Sequence, residues 1–323
     1  MVKERIMSFR RVLRWLFWLY GVLAGVVGTA VFMFARRVIQ PPRQRLWTTP
    51  ASLDMDYEAV QFPAADGVRL SGWFIPAHSE NGRDGATVVL VHGWPWNRLG
   101  ESAQDVLAKL NGTTPVDLLR LAYALHQAGF HVLMFDLRNH GESAAAPPVT
   151  FGQSEANDLL GALQFLKERS EVNPQRIGVI GFSMGANTLL YALPRTDSIK
   201  AGIAVQPTTV SLFARRYGAE MMGILSRVVL PLVDLVYRLS GGPGFSAIQP
   251  AFVAAGAGET PILYVQGKGD RWGSVPDVMR MVEATPCAVS PLLVETMHRF
   301  EGYQYLVNHP KVAIAFLEQY LGN

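Results

Sequence analysis

The stretch RIGVIGFSMGANTLLYAL, Arg176 to Leu193, constrains this chain more than any other. A β-rich apolar run meets Gly181-Phe182-Ser183-Met184-Gly185, and a helical pattern follows at once. Passing from strand to helix in so few residues needs a turn tight enough that its flanking positions must be glycine. Ser183, in the middle, is forced into strained backbone that holds its hydroxyl clear of the sheet. The first turn of the helix aims backbone N–H groups and a positive dipole end at the same place. A layered α/β protein with a nucleophilic serine at the end of one strand is the expectation.

The rest of the chain has the matching rhythm. YEAVQF (57–62) and VRLSGWFI (68–75), separated by a turn containing Asp66-Gly67, read as a hairpin. Further strand candidates are ATVVLV (86–91), FHVLMFD (130–136), RIGVIGF (176–182), AGIAVQ (201–206), PILYVQG (261–267) and SPLLVE (290–295). Helical patterns lie between them, such as 116–129, ending in Gly129, and 154–169, with Ser154 as N-cap. Strands alternating with helices at this spacing predict a mostly parallel sheet with helices on both faces and antiparallel strands at its N-terminal edge. The interval 207–258 breaks the rhythm, because a βα connection is far shorter. Within it, Arg227, Pro231, Asp234 and Arg238 share one stripe of a helix over 219–239 that is otherwise apolar. With three charged groups it is a poor membrane span, and an inserted helical cap fits it better.

Composition matters chiefly at the N-terminus. Residues 1–45 hold nine Lys/Arg against one acid, so from a whole-chain charge of +3 the remainder carries about −5. A nucleic-acid-binding surface is therefore not expected. Between the basic segments lies WLFWLYGVLAGVVGTAVFMFA, Trp15 to Ala35, with 21 positions free of charge. At 1.5 Å per residue that is roughly 30 Å of helix, one hydrocarbon thickness. No small-residue cleavage site follows it, which favours an uncleaved single-pass anchor over a signal peptide or a buried core helix. Five Lys/Arg precede the span and four follow, a slight bias toward an inside N-terminus and an extracytoplasmic folded domain. The lone cysteine, Cys287, permits no internal disulfide and is expected as a small buried hydrophobe. These features divide the chain into a basic segment (1–14), a transmembrane anchor (15–35), a linker (36–54) and a folded domain (55–323) with its cap at about 207–258.

A nucleophilic serine needs a base and an acid to orient it, in the chain order Ser, acid, His. His298, just past SPLLVE, and His309, at the start of the final helix, are the histidines downstream of Ser183. A position at a strand's C-terminal end favours His298. Asp270, in the loop after PILYVQG, is the favoured acid, with Asp277, Glu283 and Glu295 as alternatives. The oxyanion would be held by the backbone N–H of Met184 and by that of Trp94 in HGWPWNR, since Pro95 has none to offer. His92 precedes the nucleophile and reads as loop scaffolding. No metal-ligand spacing and no phosphate-cradling loop occurs, so no metal or cofactor is expected.

DGVRLSGWFIP, VVLVHGWPWNR, FDLRNHGES, IGVIGFSMGAN, YVQGKGDRW and MHRFEGY, in that order, resemble the α/β-hydrolase superfamily over most of 55–320. The nearest likeness is to bacterial membrane-anchored serine hydrolases of serine aminopeptidase-like and lysophospholipase-like type. That resemblance implies the α/β-hydrolase fold, the set Ser183, Asp270 and His298, and hydrolysis through an acyl-enzyme. HGWP is similar to a stretch in epoxide hydrolases, but those place aspartate at the elbow, whereas serine turns the chemistry toward acyl transfer. Two departures stand out. Asn139 occupies a position usually glycine, where the turn needs positive φ, and 100–117 lengthens the connection after HGWPWNR, as surface decoration more than as a pocket mouth. The resulting expectation is a membrane-anchored serine esterase for small-molecule or lipid-like esters. A serine peptidase, with Glu155, Glu220 or Glu301 holding a peptide terminus, and a non-catalytic binding protein are the alternatives. Oligomeric state is not legible.

Overall fold

The structure, a computed structural model, describes residues 2–77, 83–102 and 115–322, with side chains from residue 11 onward. In chain order its principal elements begin with α1 (Val2–Ile39), β1 (Glu58–Pro63), β2 (Arg69–Ile75), β3 (Thr87–Val91), β4 (Gly100–Glu101) and β5 (Val116–Asp117). Next come α2 (Leu118–Gln127), β6 (His131–Phe135), α3 (Glu155–Lys167), β7 (Ile177–Phe182), α4 (Met184–Ala192) and β8 (Ala201–Val205). The insertion holds α5 (Val210–Met222), α6 (Ser226–Leu239) and α7 (Pro250–Ala254). Then follow β9 (Ile262–Gly267), α8 (Val275–Ala284), β10 (Leu292–Val294), α9 (Arg299–Asn308) and α10 (Pro310–Leu321).

Eight strands form one sheet in the order β1-β2-β6-β3-β7-β8-β9-β10. The β1–β2 and β2–β6 pairs are antiparallel and the others parallel, as the alternating pattern predicts. Successive side chains of a strand point to opposite faces, so each strand supplies two cores. Val89, Val91, Leu133 and Phe135 pack with Leu159, Leu163, Leu189 and Met281 on one face. Val88, Leu90, Val132 and Met134 pack with Leu121, Leu125, Leu306 and Leu317 on the other. Parallel strands covered on both faces explain the near-continuous apolar runs.

Several local expectations change. The helix expected over 219–239 divides into α5 and α6, because Gly223 takes φ +55° and ends the first of them. Ser154 is already helical and caps nothing through its side chain. The buried Glu155 carboxylate instead accepts from Thr150 N (2.9 Å), Thr150 Oγ1 (2.7 Å) and Gly152 N (2.8 Å), closing the loop before α3. Cys287 is exposed, because it lies in the turn between α8 and β10 and not within either. Most of the 100–117 departure lies outside the described residues, but its two ends pair as the antiparallel ribbon β4–β5. Asn139 does take positive φ, +68°.

The segment after the apolar helix is bound to the domain along its length. Val149 N donates to Ile39 O (3.0 Å), Arg43 Nη1 to Ser143 O (2.6 Å), and Asn97 Nδ2 to Gln44 O (3.3 Å) and Arg45 O (3.2 Å). The helix itself is long and apolar enough to cross a membrane, with a mean hydropathy of 2.0 over its most apolar window and none of that window buried. A core helix would be mostly buried, so that alternative falls away.

Candidate active site

The elbow forms at the C-terminal end of β7, in the middle of the sheet. Ser183 takes φ +52° and ψ −111°, a region sparsely populated by residues with a side chain. Its N–H donates to Val205 O (2.9 Å), and its carbonyl accepts from Asn187 N (3.0 Å), so the strain is held from both sides. The flanking glycines are sterically required. A Cβ on Gly181 would meet the carbonyl of Gly185, and one on Gly185 the carbonyl of Val91.

Ser183 and Met184 open into a cavity walled largely by Trp94, Trp96, Phe151, Phe213, Trp272 and Phe300. Among the described residues the Trp94 backbone N–H has no hydrogen-bond partner, and its indole Nε1 is buried and also unpartnered. Trp94 lines this cavity together with Ser183 and Met184. The loop carrying Trp94 is held by His92, which is fully buried. Leu137 N donates to His92 Nε2 (3.0 Å), so the ring proton sits on Nδ1 and is given to Gly93 O (2.8 Å). Burial lowers the pKa of this ring, keeping it neutral. Asp136 completes the support, accepting from Arg98 N (2.7 Å), Nε (3.1 Å) and Nη2 (2.6 Å).

Asp270 lies buried in the loop after β9. Its Oδ1 accepts from Trp272 N (3.0 Å) and Gly273 N (2.9 Å), and its Oδ2 from Gln266 Nε2 (3.2 Å) and from Arg299 Nη1. Arg299 is the group that links the site. Its Nη2 donates to Ser183 Oγ (3.3 Å) and to Gln206 O (2.9 Å), and its Nε donates to the Tyr303 hydroxyl. Tyr303 lines the cavity beside Ser183. Burial opposes the charge on this guanidinium, but Asp270 and Tyr303 outweigh that cost and raise its pKa.

His298 contacts neither Ser183 nor Asp270 in this arrangement. Its Nε2 lies 3.5 Å from Glu301 Oε1, and its Nδ1 is buried with no partner. The local cause is backbone geometry. His298 is extended (φ −152°, ψ 173°), so neighbouring side chains leave on opposite sides, and Arg299 takes the inward one. Gln206 fixes that choice, because its Nε2 donates to Arg299 O (2.7 Å) and its Oε1 accepts from Gly267 N (3.2 Å). Arg299, Tyr303 and Gln206 are not among the residues that the sequence motifs single out. The one signal for them in the sequence is an arginine directly after the expected base.

Asp277 sits in α8 and accepts from Thr209 N and Oγ1 (both 2.8 Å), tying the cap's first helix to the domain. Glu295 pairs with Lys268 at the surface, Glu283 is exposed, and His309 caps α10. Of the carboxylates considered for a peptide terminus, Glu155 is committed to its loop and Glu220 to Trp272 Nε1 (2.9 Å). Among the described residues, Glu101 is the carboxylate that lines the cavity.

A covered eight-stranded sheet with a serine elbow at the end of its central strand defines a class. Residues 88–314 match the alpha/beta hydrolase family, and the chain belongs to it. It is 28% identical over 220 residues to the uncharacterized protein YfhR of Escherichia coli K12, covering 66% of this chain and 63% of that one. It is 24% identical over 172 residues to the thiohydrolase aneE of Aspergillus aculeatus, covering 53% of this chain and 48% of that one. The solved structure of the Pyrococcus furiosus esterase Pf2001 is similar with TM-score 0.67 and 27% identity, covering 88% of this chain and 99% of that one.

Proposed function

We propose that the protein is a serine hydrolase of carboxylic esters with an apolar acyl part, held at the cell membrane by α1. The observation that carries this is Ser183, strained at the elbow and facing a cavity walled by aromatic side chains. Ser183 Oγ attacks the ester carbonyl carbon and its proton passes to His298. The Trp94 and Met184 N–H groups hold the oxyanion, and Asp270 stabilises the imidazolium. The tetrahedral species expels the alcohol, which takes the proton, and water activated by His298 then releases the acid. For this to happen His298 must take the place between Ser183 and Asp270 that Arg299 holds, a turnover of the extended backbone at 298.

The same arginine supports a second reading, a non-catalytic binding protein whose serine is permanently engaged by Arg299. Fluorophosphonate labelling, with a short-to-long series of acyl esters beside aminoacyl amides, separates these readings. A serine esterase is labelled at Ser183 and prefers the esters. Ser183→Ala abolishes both signals, and His298→Ala lowers turnover by about 10⁴-fold or more. Failure of the wild type and of Arg299→Ala to label defeats the esterase reading in favour of the binding protein. Preference for the amides points to a peptidase.

A further inference from the structure

The cap and the apolar helix are a single packed unit. Along α1, Val27, Ala30, Val31, Phe34 and Val38 fall at i, i+3, i+4, i+7 and i+11, and this stripe packs against the core that includes Val229 and Val233 of α6. The bonds from Ile39, Arg43 and Gln44 to the domain fix the direction in which α1 leaves it. Contact between α1 and the domain begins at Val27, while the uncharged run continues to Ala35. Eight residues of helix rise about 12 Å, so the cap lies beside the last third or so of the apolar run. At that same level the far side of α1 exposes Phe32 and Met33.

Helix α6 has three faces. Val229, Val233 and Tyr237 point into the core. Arg227, Asp234 and Arg238 form the polar stripe, with Asp234 accepting from Arg238 Nε (2.9 Å) and Phe245 N (2.7 Å). Val228, Leu232, Leu235 and Leu239 form a third stripe at i, i+4, i+7 and i+11, exposed to solvent and extended backward by Ile224. Ile224 is 80% exposed and Leu239 79%, so both ends of this stripe are uncovered. An apolar stripe beside a charged one is the pattern of an amphipathic helix seated at a membrane interface.

We propose that the Val228–Leu232–Leu235–Leu239 stripe of α6 is a membrane-seating surface, embedded in the interfacial layer of the bilayer that α1 crosses. This rests on the reading of α1 as a membrane span. What commits the surface to lipid is continuity. Helix α6 packs through Val229 and Val233 against the Val27–Val38 stripe of α1, whose orientation on the domain is fixed, so a bilayer around the exposed remainder of α1 reaches the level of α6. The seating also places an apolar cavity at lipid level, walled by Phe34 and Val38 of α1 with Leu230 and Val233 of α6. That cavity shares Trp94, Phe151 and Phe213 with the one around Ser183.

The test uses the full chain with Cys287→Ser, reconstituted in phosphatidylcholine/phosphatidylglycerol nanodiscs. A small fluorophore is placed singly at Leu235→Cys, at Leu23→Cys in the span, and at Gln175→Cys at the opposite end of the sheet. Lipids carrying a shallow nitroxide should quench the Leu235 label several-fold, while aqueous iodide leaves it bright. The Gln175 label should behave in the reverse way. A Leu235 label open to iodide beside a lipid-quenched Leu23 overturns the seating while leaving the span intact. A Leu235 label shielded from both quenchers, with disulfide-linked pairs formed through unlabelled Leu235→Cys, assigns the surface to a second copy and also overturns it. A Leu23 label open to iodide removes the span and the seating together. None of these readouts depends on hydrolysis, so failure of the esterase reading is scored separately.

Discussion

Among the described residues, two buried arginine–aspartate pairs have their aspartate in the loop just past the C-terminal end of a strand, and they make different contacts. Behind β6, Asp136 is ringed by Arg98 and by the Glu142 N–H (2.8 Å), and Arg98 pairs further with Glu142 Oε2 (2.7 Å). Its partners are all scaffold, and they lock the loop carrying Trp94 against the loop carrying His140. Behind β9, Asp270 collects two backbone N–H groups in the same way, but its arginine lines the cavity and reaches the Ser183 hydroxyl at the elbow. The same chemistry therefore serves as a fastener in one place and lines the elbow cavity in the other. What separates the two is whether the guanidinium's remaining N–H groups end on scaffold or on the Ser183 hydroxyl.

The sharpest way to break the comparison is to remove each arginine in turn. Arg98→Met leaves Asp136 buried without its counter-charge and should cost about 3–5 kcal/mol in urea unfolding. Arg299→Met should cost less, because Asp270 keeps the Gln266 side chain beside its two backbone N–H groups whereas Asp136 keeps backbone N–H groups alone, and should raise the rate of fluorophosphonate labelling of Ser183 several-fold. Equal destabilisation with unchanged labelling would show that both pairs are fasteners.

Acid tests the scaffold side alone. His140, stacked edge-on with His92 at 5.2 Å, is fully buried, and burial with the neighbouring ring lowers its pKa to about 3. The unfolded chain therefore binds a proton that the folded one refuses, so stability is complete above pH ~6.5 and falls as the pH drops below it. Each such ring adds a slope of about 1.4 kcal/mol per pH unit. His140→Phe should remove one ring's share of that slope between pH 6 and 4 in denaturant titrations, and an unchanged slope would place the ionisation elsewhere. The smallest effect belongs to the exposed Lys268–Glu295 pair beside the site. Glu295→Gln should change stability by no more than about 1 kcal/mol and leave labelling unaltered, and lost labelling would return Glu295 to consideration as the acid.

Much of this architecture was legible beforehand. Each expected strand is present, its ends displaced by no more than two residues, because alternation and β-branched runs are local signals that a covered parallel sheet preserves. The elbow was legible for the same reason, since its two glycines answer clashes within a few residues of Ser183 and with the neighbouring β3. The break at Gly223 was hidden because an apolar helical pattern continues across it, and a single glycine inside such a pattern is ambiguous. Cys287 turned out exposed because its burial was inferred from residue type, without knowledge of where the turn would fall.

The sequence by itself determined the layered sheet, the serine elbow at the end of β7, the long helical insertion between β8 and β9 and an apolar helix long enough to span a membrane. Each is written in periodicity or in residues close together along the chain. Only the tertiary structure decided that Arg299, not His298, lies between Ser183 and Asp270, and that the apolar helix is packed onto the cap. The first depends on which side of an extended backbone faces inward, and Gln206, 93 residues away from Arg299, settles it. The second depends on bonds such as Val149 to Ile39, which no local pattern encodes.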